Sequence, residues 1–248
     1  MQEFNHALLP VAAGMLAGVV GTGLGGAFSF LVPTPSQRFL SFAYGVSAGL
    51  MLSIVCFDML PEAFAFTSVY VVCAFVAVGA VCVMFFDCWL QRRQPVKATG
   101  NSRLLSMAVL LIFTVAAHNF PEGLAIGSTM AVDSSLGLGI AAVIALHNIP
   151  EGVVIAASMS GRGVSALKIA AYAACAGIPM GVGSFVGLIA GDMSPAVIGV
   201  CLALAAGAMV IICTSELIPS SHNLYNKNFS GFSVTFGFVF GIILSTIL

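Results

Sequence analysis

Two near-identical hexamers hold most of the chemistry in this chain. His118-Asn119-Phe120-Pro121-Glu122-Gly123 is followed 29 residues later by His147-Asn148-Ile149-Pro150-Glu151-Gly152. In each, the imidazole and the carboxylate are four residues apart, so on a helix they share a face, one turn removed. The proline between them has no N–H for the carbonyl four residues back, which frees Ala117 in the first copy and Leu146 in the second. An imidazole, a carboxylate, an amide and a loosened carbonyl thus gather in one turn, twice. That is a ligand set for a divalent cation. Both hexamers lie inside long apolar runs, where ionisable groups are costly and mark function.

The apolar runs must position them. The 248 residues are 60% hydrophobic and only 7% charged, with mean hydropathy +1.10. No soluble domain of this length hides that much apolar surface, so the chain reads as an all-α polytopic membrane protein. The net charge of -1 argues against nucleic acid as a partner. Seven cysteines scatter through apolar runs with no CxxC and read as small packing residues. Runs of about 20 apolar residues predict eight spans, near 7–32, 39–63, 68–90, 104–129, 135–158, 165–190, 195–219 and 230–248. The whole of 1–248 is expected to be one transmembrane domain, with 91–103 a short polar link.

Basic residues test that count. Arg38, Arg92, Arg93, Lys97, Arg103, Arg162, Lys168 and Lys227 are the whole complement of 8, and all fall on one side of an eight-span chain. The other side carries Glu3, Asp133 and Asp192. The positive-inside rule makes the basic side cytoplasmic and puts both termini outside, in the cytoplasmic membrane.

Two internal repeats add architecture. The hexamers lie on consecutive spans and therefore run antiparallel. Ser47–Pro61 matches Ala205–Pro219 without a gap, 158 residues on, through Ala48/Ala206, Gly49/Gly207, Met51/Met209, Asp58/Glu216 and Pro61/Pro219. These copies belong to spans 2 and 7, which also point opposite ways. Spans 1–3 and 6–8 are then expected to be inverted repeats around a central pair, a 3+2+3 plan typical of secondary transporters. Asp58 and Glu216 read either as acids lining a pathway or as wetted acids near span ends. Asn119 and Asn148 read as ligands or as interhelical glue; Met51 reads as a packing residue or a soft thioether ligand.

At the hexamers the chain resembles the ZIP family of divalent-metal transporters, in particular its bacterial ZupT-like branch. His-Asn-x-Pro-Glu-Gly stands complete on both the fourth and fifth spans, and the Asp58-Met59-Leu60-Pro61 and Glu216-Leu217-Ile218-Pro219 endings extend the likeness along the chain. The resemblance implies a main metal site of His118, Glu122, His147 and Glu151 with Met51 nearby, and a second site reached through Asn119 and Asn148. Many relatives add a glutamate from span 6; here Pro179-Met180 stands about there, so the second site is expected to be weak.

The expectation is a secondary carrier importing zinc foremost, with Fe²⁺, Mn²⁺ and Co²⁺ as other cargo, and no prosthetic cofactor. Its partners would be metal ions and the lipid bilayer, with a homodimer as the oligomer the reading allows. The rival is a membrane di-metal carboxylate enzyme, since inward Glu and His on a helix pair suit a di-iron centre. The orientation is testable in a variant without native cysteines. Asp133→Cys should react with a membrane-impermeant thiol reagent applied to cells, and Asn101→Cys should not; the reverse pattern contradicts it.

Overall fold

A computed structural model describes residues 2–32, 35–92, 100–160 and 163–247. Arg93, Lys97 and Arg162, and most of the predicted 91–103 link, lie outside the described residues. Among the described residues eight helical rods follow in order: α1 Gln2–Ala27, α2 Gln37–Phe66, α3 Val69–Arg92, α4 Gly100–Met130, α5 Ser134–Met159, α6 Ala166–Gly191, α7 Pro195–Leu224 and α8 Lys227–Ile247. The described residues contain no strand. Among them, seven stretches are long and apolar enough to cross a membrane. The remaining rod, α4, has 31 residues and carries the first hexamer.

Local chemistry sets several of the starts. The Ser36 side chain accepts from Phe39 N–H and caps α2. The Asp133 carboxylate accepts from the N–H groups of Ser135 and Leu136 at 2.8 and 3.3 Å and caps α5, the cap preference of a short acidic side chain.

Two rods run past the predicted ends. Span 2 is expected to stop near 63 and span 7 near 219, yet α2 continues to Phe66 and α7 to Leu224. The reason is a single wide turn in each. At Val55–Met59 and again at Cys213–Leu217 the helix loosens to a π turn, where Leu60 N–H bonds Val55 O and Ile218 N–H bonds Cys213 O, five residues back. Pro61 and Pro219 follow at once. The widened turn accommodates a ring that lacks an N–H and would otherwise press on the carbonyl four residues earlier. Asp58 and Glu216 sit inside these turns.

The packing repeats with the sequence. The rod α1 packs on α5 as α6 packs on α4; α2 packs on α8 as α7 packs on α3; α2 meets α5 as α7 meets α4. Close crossings obey the same offset. Gly49 lies against the Val234 carbonyl and Gly207 against the Val76 carbonyl, each member 158 residues from its equivalent. Gly25 lies against the Ile149 carbonyl and Gly183 against that of Phe120. A pseudo-twofold therefore relates rods 1–3 to 6–8 and exchanges α4 with α5. The core between them holds Met51, Ile54, Ile126, Ile144, Leu202 and Met209, all fully buried.

The crossing of α3 and α7 leaves no room for a side chain at Gly207. Gly207→Val should destabilise the purified protein by roughly 1–3 kcal/mol through overpacking. Gly231→Ala, where nothing lies within 4 Å, should leave the detergent melting midpoint nearly unchanged. Equal midpoints for the two variants would contradict the crossing.

Candidate metal centre

The antiparallel α4 and α5 place the hexamers at two levels. Along α4 the chain meets His118 one turn before Glu122; along α5 it meets His147 one turn before Glu151. Because the rods run in opposite directions, Glu122 stands level with His147, and Glu151 with His118. The partner of each acid is thus expected on the other rod. The structure bears this out for one pair. His147 Nε2 lies 3.0 Å from Glu122 Oε1, with both side chains fully buried. Four residues bring His118 and Glu122 onto one face, but the closer histidine to Glu122 comes from across the rod pair.

Glu122, His147 and Glu151 form one cluster, with one ligand atom from each within 4.8 Å of the others. Two ligands bound to a single zinc ion at 2.0–2.2 Å stand about 3.3 Å apart in a tetrahedron. Closing the cluster around a cation therefore needs only small side-chain movements. Glu122 Oε2, Glu151 Oε2, Asn119 Oδ1 and Asn148 Oδ1 are buried with no hydrogen-bond partner. All four are acceptors, and a buried acceptor without a donor costs about 1–3 kcal/mol. A divalent cation would satisfy such a set, so the donor chemistry fits one.

His118 belongs to a second group. Its Nε2 is 4.0 Å from Glu216 Oε2, and Asp87 on α3 completes a triad with ligand atoms within 4.8 Å of one another. A cavity joins the two groups and is lined by Tyr44, Ser47, Val115, His118, Glu151 and Glu216. His118 and Glu151, side by side in its wall, connect the main cluster to the Asp87–Glu216 pair.

The remaining predicted residues separate. Asn119 donates to the Ala176 carbonyl of α6 at 2.8 Å, and Asn148 to the Ala17 carbonyl of α1 at 3.4 Å. Their nitrogens bind neighbouring rods while their oxygens stay unpaired. Met180 is fully buried at the place of the expected span-6 acid, its Sδ 4.0 Å from Asn148 Nδ2. Met51 is fully buried with Sδ 3.7 Å from Cys213 Sγ, between α2 and α7. Asp58 is apart from the hexamers and accepts a hydrogen bond from Ser245 of α8 at 2.5 Å. Asp87, Tyr44 and Ser47 are absent from the residues predicted. Asp87 was detectable only by carrying the 158-residue offset to the ends of α3 and α8, where it falls on Ser245.

Fold and centre together define a multi-pass membrane protein whose core holds buried His and Glu side chains that could hold a metal ion. A family model described as "ZIP Zinc transporter" matches residues 91–248. The chain is 31% identical over 239 residues to the zinc transporter ZupT of Escherichia fergusonii and 32% identical to that of Escherichia coli O7:K1. Each alignment covers 92% of this chain and 93% of the relative. The protein belongs to the ZIP zinc transporter family. It is accordingly a transporter of divalent metal, and the enzyme reading falls.

Two results follow from the donor set. Metal must displace protons from imidazole and carboxylate, so affinity falls as pH falls. Zinc binding by the purified chain should weaken at least about tenfold between pH 7.5 and 5.5; a flat profile contradicts His and Glu ligation. The asparagine nitrogens serve packing and only their oxygens are left unpaired, so Asn119→Ala should retain more zinc affinity than His118→Ala or Glu122→Ala. Calorimetric titration of the three would show it, and equal complete loss would refute the ranking.

Proposed function

We propose that this chain is a secondary carrier that brings divalent transition metal, zinc first, into the cell across the cytoplasmic membrane. One cation is shared between Glu122, Glu151 and His147 at mid-bundle, with His118 as the ligand through which it leaves. Glu216 and Asp87 receive it on the basic, cytoplasmic side. The observation that carries this reading is the set of buried, unpaired acceptors on two antiparallel rods. A cation between Glu122 and Glu151 relieves their mutual repulsion and desolvation. The inverted repeat supports the carrier class, because such repeats allow one site to face either side in turn.

Zinc is carried over from the relatives named zinc transporters, and imidazole with carboxylate suits it. Fe²⁺, Mn²⁺ and Co²⁺ satisfy the same ligands. Met51 adds a soft thioether beside the site. Asn119 and Asn148 offer oxygens to a second cation, which Met180, a neutral neighbour, holds only weakly.

A shared cation makes the two glutamates non-additive. In vesicles containing only this protein, Glu122→Ala and Glu151→Ala should each reduce radioactive zinc uptake to about a tenth or less, and the double variant should be little worse. Two single variants that each keep half the activity, with only the double inactive, would replace one shared site by two parallel ones.

A further inference from the structure

The inverted repeat gives the Asp87–Glu216 pair a counterpart on the opposite face of the bundle. Glu216 corresponds to Asp58 and Asp87 to Ser245, each 158 residues apart. We infer that Asp58 and Ser245 form a cation-binding station on the acidic face, the inverted equivalent of Glu216 and Asp87, where a divalent cation is held before it enters the main site. The inference rests on the carrier reading above.

Three observations carry it. The first is equivalent placement. Asp58 stands in the π turn of α2 and Glu216 in the π turn of α7. Asp58 meets a residue near the end of α8, and Glu216 one near the end of α3: Ser245 donates to Asp58 Oδ1 at 2.5 Å, and Asp87 and Glu216 bring ligand atoms within 4.8 Å of each other. The second is a cavity lined by Asp58, Ser245, Leu136, Gly139, Ile140 and Val143. Val143 precedes His147 by four residues, so this cavity ends about one helical turn, roughly 5.4 Å, short of the main cluster. The third is how the residues between are arranged. Tyr44, Ser47, His118 and Glu151 line the cavity on the basic face. Their inverted equivalents are Leu202, Ala205, His147 and Glu122, and all four are fully buried. The cavity on the basic face therefore reaches the main cluster at Glu151, whereas the Asp58 cavity stops at Val143. Exchanging the two halves would open the Asp58 cavity onto His147 and Glu122.

The two stations differ in strength. On the basic face a cation meets two carboxylates and an imidazole; on the acidic face it meets one carboxylate and a hydroxyl. A single carboxylate with a hydroxyl suits a divalent cation that keeps part of its water shell, held loosely enough to move on. Asp58 then governs capture, and its loss appears at low metal concentration.

The test is the initial rate of zinc uptake against external zinc, in vesicles containing the whole chain. Asp58→Asn should raise KM about tenfold, the lower end of what losing a group around a bound metal costs, with a smaller effect on Vmax. Ser245→Asp, which copies the Asp87 side chain, should lower KM. If Asp58→Asn fails to insert, Ser245→Asp decides alone. An unmoved KM in Ser245→Asp, or a loss confined to Vmax in well-inserted Asp58→Asn, overturns the station. The carrier reading survives that outcome if Glu122→Ala still abolishes uptake. Wild-type vesicles that take up no metal overturn both.

Discussion

A carboxylate inside a bundle surrounded by lipid persists only beside a partner, and in this chain the partner of Glu122 comes from a different rod. Each unpartnered charge at mid-bilayer costs roughly 2.5–3.5 kcal/mol. The 3.0 Å contact between His147 and Glu122 offsets part of that cost and ties α4 to α5. Everything around this contact is arranged to bring those two rods together at the right height. The rods α1 and α6 clasp the pair from outside through glycine crossings, and the asparagine nitrogens hold on to their carbonyls. The acceptors left unpaired are carboxylate and amide oxygens of the hexamers.

The same symmetry that builds the centre also leaves it unequal. His147 is held by Glu122, whereas its equivalent, His118, stands nearer Glu216 and Asp87. Carriers need two such arrangements of nearly equal energy, and an inverted repeat supplies them, because each half can adopt the conformation of the other. The π turns at Val55–Met59 and Cys213–Leu217 place each acid in a widened stretch of helix, and such turns often serve function.

Much of this was legible in the residues. The hexamers reveal their chemistry because spacing along one helix is local information. Eight spans follow from hydropathy, and the one-sided basic residues corroborate the count. The gapless match of Ser47–Pro61 with Ala205–Pro219 announced the inverted halves. The pairing across α4 and α5 was not legible, since it depends on the relative height of two rods, which packing sets. Nor was Asp87, a single acid near a span end whose equivalent, Ser245, is not an acid and so hides the match. The helix that continues past Pro219 also escaped, because proline at a span end reads as a stop unless the backbone widens to admit it.

The central claim is that one cation lies between the two hexamers. Zinc K-edge X-ray absorption of the purified chain, loaded with one equivalent of zinc, tests it directly. A shared cation gives an inner shell of oxygen and nitrogen at about 2.0–2.2 Å, with outer-shell scattering from imidazole that falls when His147→Ala is introduced. An all-oxygen shell without imidazole, unchanged by that substitution, would contradict it.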